Sequence, residues 1–232
     1  LSRSLPVSQK GELGRGLKGA DVRFSVNGEA VSLAWTDDSI PGVPAQSYYA
    51  VKTYEDGDKV NITAAAEGMK AVSSATVVPS RFPLTSINFV LKGGEPNQLQ
   101  FWIHFTDNAQ TKDYYALKVE RKRQFWNDSK YSVENSSLTL NLDDEPLLNT
   151  SSGLDDILMI ENEFYRNLYY WDDTKIQGKS YKVRLNTNYE ADYEDDFITP
   201  DGVEHIKCQV KYRISLYSLS EEFYRYLKSL ND

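Results

Sequence analysis

The acidic residues whose spacing could best support metal binding or catalysis form one short run near the C-terminus. The run contains Glu190, Asp192, Glu194, Asp195 and Asp196. Alternate carboxylates supply the hard oxygen ligands that Ca²⁺ prefers, but the spacing matches no EF-hand loop and lacks its turn glycine. Paired carboxylates also perform glycoside hydrolysis, yet 34 acidic residues make such pairs common by chance. We therefore expect residues 187–204 to form a solvated acidic loop.

Cys208 and His205 are the second chemically suggestive combination, because a thiolate beside a histidine base is a nucleophile. The two residues are three positions apart at the start of a predicted strand, so their side chains point to opposite faces. Cys208 shares the apolar face of Val210 and Ile214, which predicts a buried structural cysteine. One cysteine and two histidines leave few ligands for a metal site. We predict no catalytic residue, no metal and no cofactor, and a protein that is not an enzyme.

Aromatic side chains offer a binding chemistry instead. The chain has 16 tyrosines and 4 tryptophans, and the flat faces of such rings stack on sugar rings. The candidate ligand-binding aromatics are Trp126, which follows Phe125, and the run Tyr169, Tyr170 and Trp171. The competing interpretation is that these rings fill a core or cover a sheet face, which is the more usual role of aromatic residues in β-rich proteins.

The overall composition limits the classes of partner. There are 26 Lys and Arg residues and 34 Asp and Glu residues, which gives a net charge of −8. Non-specific nucleic-acid binding is driven by basic residues that neutralise phosphates, so no nucleic-acid partner is expected. The 40% hydrophobic and 12% aromatic content is too high for a disordered chain. No stretch approaches the roughly 20 apolar residues of a membrane-spanning helix.

The elements that would position these residues are mainly strands. Val22, Phe24 and Val26 alternate with polar residues up to Asn27-Gly28, after which Val31, Leu33 and Trp35 alternate again. Both residues of that dipeptide tolerate positive φ, so it is the strongest local signal for a hairpin. Further short alternating runs and turn clusters follow up to residue 78, a spacing typical of a β-sandwich.

A proline-bearing segment separates two parts of the chain. Pro79 and Pro83 cannot sit in a central strand because proline lacks the amide donor, so residues 79–83 are read as a linker. We predict two β-sandwich-like (Ig-like) domains, an N-terminal one over residues 1–80 and a C-terminal one over residues 81–232. In the second, Leu138 to Leu142 is predicted as a short strand, and a short helix is possible from Leu154 to Tyr170.

One amphipathic helix is predicted at the C-terminal end, over about residues 219–230. Ser218 and Glu221 fit a capping box. The apolar face of the helix contains Leu219, Phe223, Tyr226, Leu227 and Leu230. We expect this face to pack on a sheet of the second domain, because an isolated helix of this length is marginal in water. The alternative is that the face binds a partner.

Four segments in order along the chain resemble motifs of the domain of unknown function 4249 family. They are Thr76-Val77-Val78-Pro79 with Pro83-Leu84-Thr85-Ser86-Ile87, then Phe105-Thr106-Asp107 with Asp113-Tyr114-Tyr115-Ala116-Leu117, then Ile176-Gln177-Gly178-Lys179-Ser180-Tyr181, and lastly Leu216 to Leu227. The last segment is the most specific, since it follows the family pattern L-x-S-hydrophobic-S-x-E-Y-Y-R-Y-L closely. Before Thr76 the resemblance is in pattern only.

The resemblance implies an exported lipoprotein of the Bacteroidetes cell envelope, anchored in the outer membrane only through a lipid on an N-terminal cysteine that would precede Leu1. Such proteins are often encoded beside TonB-dependent outer-membrane transporters. The expected function is therefore non-enzymatic, either binding a glycan or other nutrient ligand or accompanying such a transporter. The alternative is an adhesion or pilus-like structural subunit, which assembles by strand addition. The family has no established activity, so the resemblance assigns no site residue.

Overall fold

The computed structural model describes residues 16–92, 98–127, 130–148, 167–200 and 202–229. Contacts divide the chain into two compact units, Leu1–Ser80 and Arg81–Asp232. The described residues are mainly β-strands in several antiparallel sheets, with one α-helix near the C-terminus. The predicted mainly β class and the C-terminal helix are confirmed, while the Ig-like arrangement stays a prediction.

The first unit contains a four-stranded antiparallel sheet and a separate two-stranded hairpin. Its strands are β1 (Asp21–Val26), β2 (Glu29–Val31), β3 (Ala34–Thr36), β4 (Ser47–Tyr49), β5 (Lys59–Ala65) and β6 (Val72–Val77). The sheet has the order β2-β1-β5-β6, and β3 pairs with β4. The alternating pattern from Val31 to Trp35 is therefore split between two strands, because Trp35 pairs with Tyr48 in the separate hairpin.

The turn between β1 and β2 is the one that the sequence predicts. Asn27 and Gly28 have φ values of 52° and 84°, the left-handed conformations of a tight hairpin turn. The Asn27 side chain also ties this turn to the neighbouring strand. Its Oδ1 accepts the Lys59 amide proton at 2.9 Å, and its Nδ2 donates to Asp58 at 2.7 Å.

The second unit contains two larger sheets and the helix. Its strands are β7 (Leu84–Leu91), β8 (Gln98–Thr106), β9 (Tyr114–Asn127), β10 (Lys130–Ser137), β11 (Tyr169–Asp172), β12 (Ser180–Asn188), β13 (Tyr193–Thr199) and β14 (Gly202–Leu219). One sheet has the order β12-β8-β7, and the other has the order β10-β9-β14-β13 with β11 paired to the end of β9. A 3₁₀ turn over Asp173–Lys175 follows β11.

The two sheets of the second unit share one hydrophobic core. One sheet contributes Phe101, Ile103, Phe105, Val183 and Leu185, and the other contributes Tyr115, Leu117, Val119, Tyr169 and Trp171. Phe82, from the proline-bearing segment, packs its ring 5.1 Å from that of Phe105. Buried apolar area is the main stabilising contribution to such a fold, so this core fixes the positions of all the strands that carry it.

Three of the predicted elements in the second unit are corrected or fall outside the description. Residues 187–204 are not a loop, since β13 and the start of β14 form a paired hairpin there. Residues 138–142 form no named strand and make a single bridge, between Asn141 and Asn186. Most of the helix predicted from Leu154 to Tyr170 lies outside the described residues, and Tyr169 begins β11 instead.

The helix α1 spans Glu221–Ser229, two residues later than its predicted start because β14 continues to Leu219. The Ser220 Oγ accepts the Phe223 amide proton at 3.3 Å, so Ser220 caps the helix and the prediction of Ser218 as the cap is wrong. No helix among the described residues has the length and apolar character needed to cross a membrane.

Candidate functional site

The sheet that contains β9 has a core face and an outer face, because successive side chains of a strand point to opposite sides. Tyr115, Leu117 and Val119 face the shared core. On the outer face, α1 covers one end of the sheet, where Leu227 packs in a second cluster with Ala116. The opposite end of the outer face lies near Trp126, whose side chain is 39% exposed. That open end is the candidate functional site.

The strand register brings polar and aromatic side chains together at this open end. One row of this face crosses four strands and consists of Tyr131, Trp126, Lys207 and Glu194, and the next row toward α1 contains Gln124 and Gln209. We call these six residues the Trp126 platform. Cross-strand neighbours on one face have Cβ atoms about 5 Å apart, so the members of each row act as one surface.

The two rings of the Trp126 platform form a defined pair. The centroids of Trp126 and Tyr131 lie 5.5 Å apart, with 47° between the ring planes. Tyr131 is 52% exposed, and its hydroxyl accepts a hydrogen bond from Gln124 Nε2 at 2.6 Å. Because this bond fixes the phenol oxygen, the Tyr131 O–H remains a directed donor at the edge of the ring pair.

A cleft of about 620 Å³ opens beside Trp126. It is lined by Trp126, Asp192, Tyr193, Glu194, Lys207, Cys208 and Gln209. The Asp192 carboxylate is oriented by the Val210 amide, which donates to Oδ1 at 2.7 Å. Lys207 Nζ lies 3.5 Å from a Glu194 oxygen. Apolar ring faces beside amide, ammonium and carboxylate groups match the alternating C–H and O–H surfaces of a sugar ring.

The other predicted ligand-binding aromatics occupy the interior. Tyr169, Tyr170 and Trp171 are only 4, 6 and 4% exposed. They belong to β11, which pairs with β9 where both faces of the sheet are covered. Tyr169 and Trp171 pack in the shared core and Tyr170 packs under α1, where its hydroxyl donates to the Leu227 carbonyl at 3.3 Å. These three rings therefore fill the protein interior, as the competing interpretation of the aromatic residues predicts. Of the four candidate aromatics, only Trp126 lies at the surface.

The carboxylates of the predicted acidic loop are paired across a hairpin. His205 Nδ1 lies 2.7 Å from Asp196 Oδ1, and its Nε2 lies 2.8 Å from Glu194 Oε1. The hydrogen bonds to Asp196 and then Glu194 raise the pKa of His205. The bonds from His205 and Lys207 lower the pKa of Glu194. Opposite charges directly across an antiparallel pair stabilise it, which explains why this acidic sequence forms a strand.

Glu190 is held by two arginines of β9. Its carboxylate lies 2.7 Å from Arg121 Nη1 and 2.8 Å from Arg123 Nε. The hydrogen bond with Arg123 lowers the pKa of Glu190. The five acidic residues of the run therefore do not converge on one point, since Glu190, Asp192 and Glu194 each have a different partner.

Cys208 is buried, at 1% exposed, and burial raises the pKa of its thiol. A protonated thiol is a poor nucleophile. His205 is meanwhile engaged with the carboxylates of Asp196 and Glu194. The prediction that Cys208 is a buried structural residue agrees with this geometry.

A second cluster of carboxylates lies where two of the family-like segments meet. Carboxylate oxygens of Asp107, Asp113 and Asp173 all lie within 4.8 Å of one another. Asp107 accepts hydrogen bonds from the Tyr115 hydroxyl at 2.7 Å and from the Gly178 amide at 2.8 Å. Gly178 has φ +68°, and a Cβ there would lie 2.7 Å from the Ala109 Cβ, so this turn requires glycine.

The partners of this cluster indicate a structural role. Lys112 Nζ lies 2.6 Å from Asp173 Oδ1, and the Asp113 amide donates to Asp173 Oδ2 at 2.7 Å. Burial, followed by the charges of Asp107 and Asp173, raises the pKa of Asp113. Lys112 supplies the positive charge that a bound cation would otherwise supply. The cluster thus fastens the turn after β8 to the turns that precede β9 and β12.

Sequence reasoning identified Trp126 but missed Tyr131, Gln124 and Gln209 as its neighbours. The available signal was the turn-forming triplet Asn127-Asp128-Ser129. Had it been taken as the tip of a two-residue hairpin loop, it would have placed Tyr131 opposite Trp126, as observed. The contribution of β14 could not have been found in this way, because its pairing with β9 joins residues far apart in sequence.

Comparison with known proteins places the chain in a family without assigning it a function. No curated protein and no solved structure matches it. The family model described as "Domain of unknown function (DUF4249)" matches residues 1–232, the whole of the sequence. The chain therefore belongs to the DUF4249 family.

Proposed function

We propose that this chain is an exported lipoprotein of the bacterial cell envelope that binds a saccharide on the Trp126 platform. Its role is non-enzymatic, as a ligand-binding accessory of a TonB-dependent outer-membrane transporter. The observation that carries the binding proposal is the exposed Trp126, which pairs with the Tyr131 ring and lines a cleft of about 620 Å³. Clefts of 300–1,000 Å³ with apolar rings and a few polar groups are typical of ligand sites.

The identity of the surrounding groups supports a sugar over a purely apolar ligand. Gln209, Lys207, Asp192 and Glu194 bring amide, ammonium and carboxylate groups to the same outer face. Such donors and acceptors fix the orientation of a ligand whose edges carry hydroxyl groups. The two rings supply apolar contact area at low cost in conformational entropy, which is why tyrosine and tryptophan recur in binding surfaces.

The envelope and transporter parts of the proposal draw their support from the family resemblance. The non-enzymatic part is supported by the state of Cys208 and His205. Cys208 is buried with a raised thiol pKa, and both ring nitrogens of His205 are engaged by carboxylates. A binding role needs neither an activated nucleophile nor a free base.

The test is a binding screen with neutral oligosaccharides. Maltotetraose, cellotetraose, xylotetraose and mannotetraose are each titrated into the protein by isothermal titration calorimetry. At least one should bind, and Trp126→Ala should weaken that binding tenfold or more, which corresponds to about 1.4 kcal/mol. Gln209→Ala should weaken it by a smaller factor, because one neutral hydrogen bond contributes about 1 kcal/mol.

Tyr226→Ala is the matched control for this screen. Tyr226 is another exposed aromatic residue, 49% accessible on α1, and it lies on the helix at the far end of the sheet. Its substitution should leave saccharide affinity unchanged. Equal losses in Trp126→Ala and Tyr226→Ala, or no binding to any glycan of the panel, would count against the platform as a saccharide site.

A further inference from the structure

Among the described strands, β7 is at one edge of its sheet, whose order is β12-β8-β7. Its side chains Leu84, Ile87, Phe89 and Leu91 pair in register with Phe105, Ile103, Phe101 and Leu99 of β8, all of which are buried. The four β7 side chains therefore project toward the core side of the sheet. Yet Ile87, Phe89 and Leu91 are 41, 69 and 55% exposed. Among the residues that the structure describes, the core face of the sheet thus continues onto β7 as an exposed apolar stripe.

A register shift between Leu84 and Ser86 adds to this stripe. Leu84 pairs with Phe105 while Ser86 pairs with His104, so one residue of β7 is bulged out. The bulge turns Leu84 to the same face as Ile87. Leu84 is also exposed, at 46%. Four apolar side chains are thereby aligned along one strand at the edge of the sheet.

The sequence of β7 lacks the devices that protect edge strands from pairing. Monomeric proteins block such edges with charged residues and prolines. The neighbouring edges in this unit have them: β10 contains Lys130 and Glu134, β12 contains Lys182 and Arg184, and β13 contains Glu194, Asp195 and Asp196. Strand β7 reads Leu-Thr-Ser-Ile-Asn-Phe-Val-Leu, with no charge, proline or glycine within it.

The backbone of β7 also presents bonding groups toward its free side. The Lys92 amide donates to the Gln98 carbonyl on β8 at 3.1 Å. In an antiparallel pair, the residues that bond to one neighbour alternate with residues whose N–H and C=O point away. The backbone groups of Ile87, Phe89 and Leu91 therefore point to the open edge. An occupant that satisfies these groups has to be an extended strand.

We propose that β7 is a strand-addition edge and that its occupant is β7 of a second copy of this chain, paired antiparallel about a two-fold axis. The edge calls for an extended, uncharged segment with apolar side chains at alternate positions, and β7 itself has this character. Self-pairing places Ile87 of one copy near Phe89 of the other and joins the two sheets into one. An isologous contact of this kind closes after two copies, so it produces a dimer and no fibre.

The test is the concentration dependence of the molar mass, measured by sedimentation equilibrium on the complete chain. The mass should rise from one chain of 26.5 kDa toward two, as a weak dimer, because one strand pair buries less area than a standard interface. Added salt should strengthen the dimer, since each copy has a net charge of −8 and salt screens the repulsion between copies.

Two variants distinguish strand addition from non-specific hydrophobic association. Phe89→Lys introduces charge into the stripe, and Phe89→Pro removes an amide that points to the open edge and has no role in pairing with β8. Each should weaken dimerisation at least tenfold while circular dichroism shows the native β signal. Ile198→Lys is the control, because Ile198 is a 90% exposed apolar residue on the charged edge strand β13, and this variant should dimerise like the parent.

Three results would overturn the proposal. The first is a monomer at all concentrations up to about 1 mM, where the free energy of association is only about −4 kcal/mol. The second is a dimer that both Phe89 variants leave intact. The third is growth beyond two copies, which would instead favour open-ended assembly of the pilus type.

Discussion

At the scale of single residues, Asp107 holds the point where the turns after β8 and before β12 meet. Asp107 is 4% exposed, and its carboxylate accepts hydrogen bonds from the Tyr115 hydroxyl and the Gly178 amide. Asp107→Ala should cost about 2 kcal/mol, because it leaves the buried Tyr115 hydroxyl and the Gly178 amide without this partner. Urea unfolding measures this loss. Tyr115→Phe, which removes one donor and keeps the ring, should cost about 1 kcal/mol. A loss under about 0.5 kcal/mol for Asp107→Ala, the size of a surface effect, would contradict the structural role.

His205 should titrate above the ordinary histidine pKa of about 6.5, because its protonated ring can donate hydrogen bonds to both Asp196 and Glu194. Its folded-state pKa is raised, so the pairing stabilises the hairpin fully below the unfolded value and is lost as pH rises through the folded-state value. Asp196→Asn should lower the pKa toward the ordinary value in an NMR titration of the imidazole.

Asp195→Asn is the control for this titration. It removes the same charge from the same strand, but the Asp195 carboxylate accepts the Asp196 amide proton. The pKa of His205 should then change much less than in Asp196→Asn. Equal changes in the pKa of His205 in the two variants would show that the net charge of the strand, and not the hydrogen bond to Asp196, determines that pKa.

At the scale of elements, the packing of α1 depends on Leu227. This side chain is completely buried, whereas Tyr226 is 49% exposed and Phe223 is partly buried against the same cluster. Leu227→Ala should cost about 2–5 kcal/mol, the range for emptying a buried leucine site. Tyr226→Ala should stay within about 0.5 kcal/mol. If chemical denaturation shows the two variants to be equally stable, the helix is not docked through this face.

The helix also shows what a sequence pattern can and cannot predict. The 3.6-residue spacing correctly indicated a helix that packs on its own unit, with Leu227 and Phe223 on the packed face. The same prediction placed Tyr226 on that face and is wrong there, because Tyr226 is 49% exposed. Leu230, also predicted on this face, lies outside the described residues. The start was wrong because a strand and a helix overlap in pattern at Leu219, which ends β14 and packs in the same cluster. Tyr224, whose ring lies 4.7 Å from that of Tyr114, was missed because its position falls outside the predicted apolar stripe.

The prediction for the segment that forms β13 was wrong for a different physical reason. Local composition indicated a loop, because five acidic residues lie between residues 190 and 196. Pairing with His205 and Lys207 on β14 neutralises the outward carboxylates, and that pairing depends on a neighbouring strand. The alternating strand β1 was predicted well, because the period of Val22, Phe24 and Val26 is a signal in its own sequence.

At the scale of the whole molecule, the second unit is a two-sheet structure whose long strands β9 and β14 extend past the part covered by α1. The helix closes one end of the outer face, and the Trp126 platform occupies the other. Residue type alone put Trp126 in the same candidate set as Tyr169, Tyr170 and Trp171. The pairing of β11 with β9 separates them by burying the last three, and no local pattern in the sequence specifies that pairing.

The most direct test of the saccharide site is an NMR titration that follows the indole N–H signals of the 4 tryptophans. Each of the four tetrasaccharides is added in turn, and Trp126→Phe assigns the Trp126 signal. That signal should shift and saturate with the bound oligosaccharide. Trp171 should stay unchanged because it is 4% exposed, and Trp102 should stay unchanged because Lys182 Nζ lies 4.3 Å above its ring. Saturable shifts at Trp35 or Trp102 with none at Trp126 would contradict the assignment of the site.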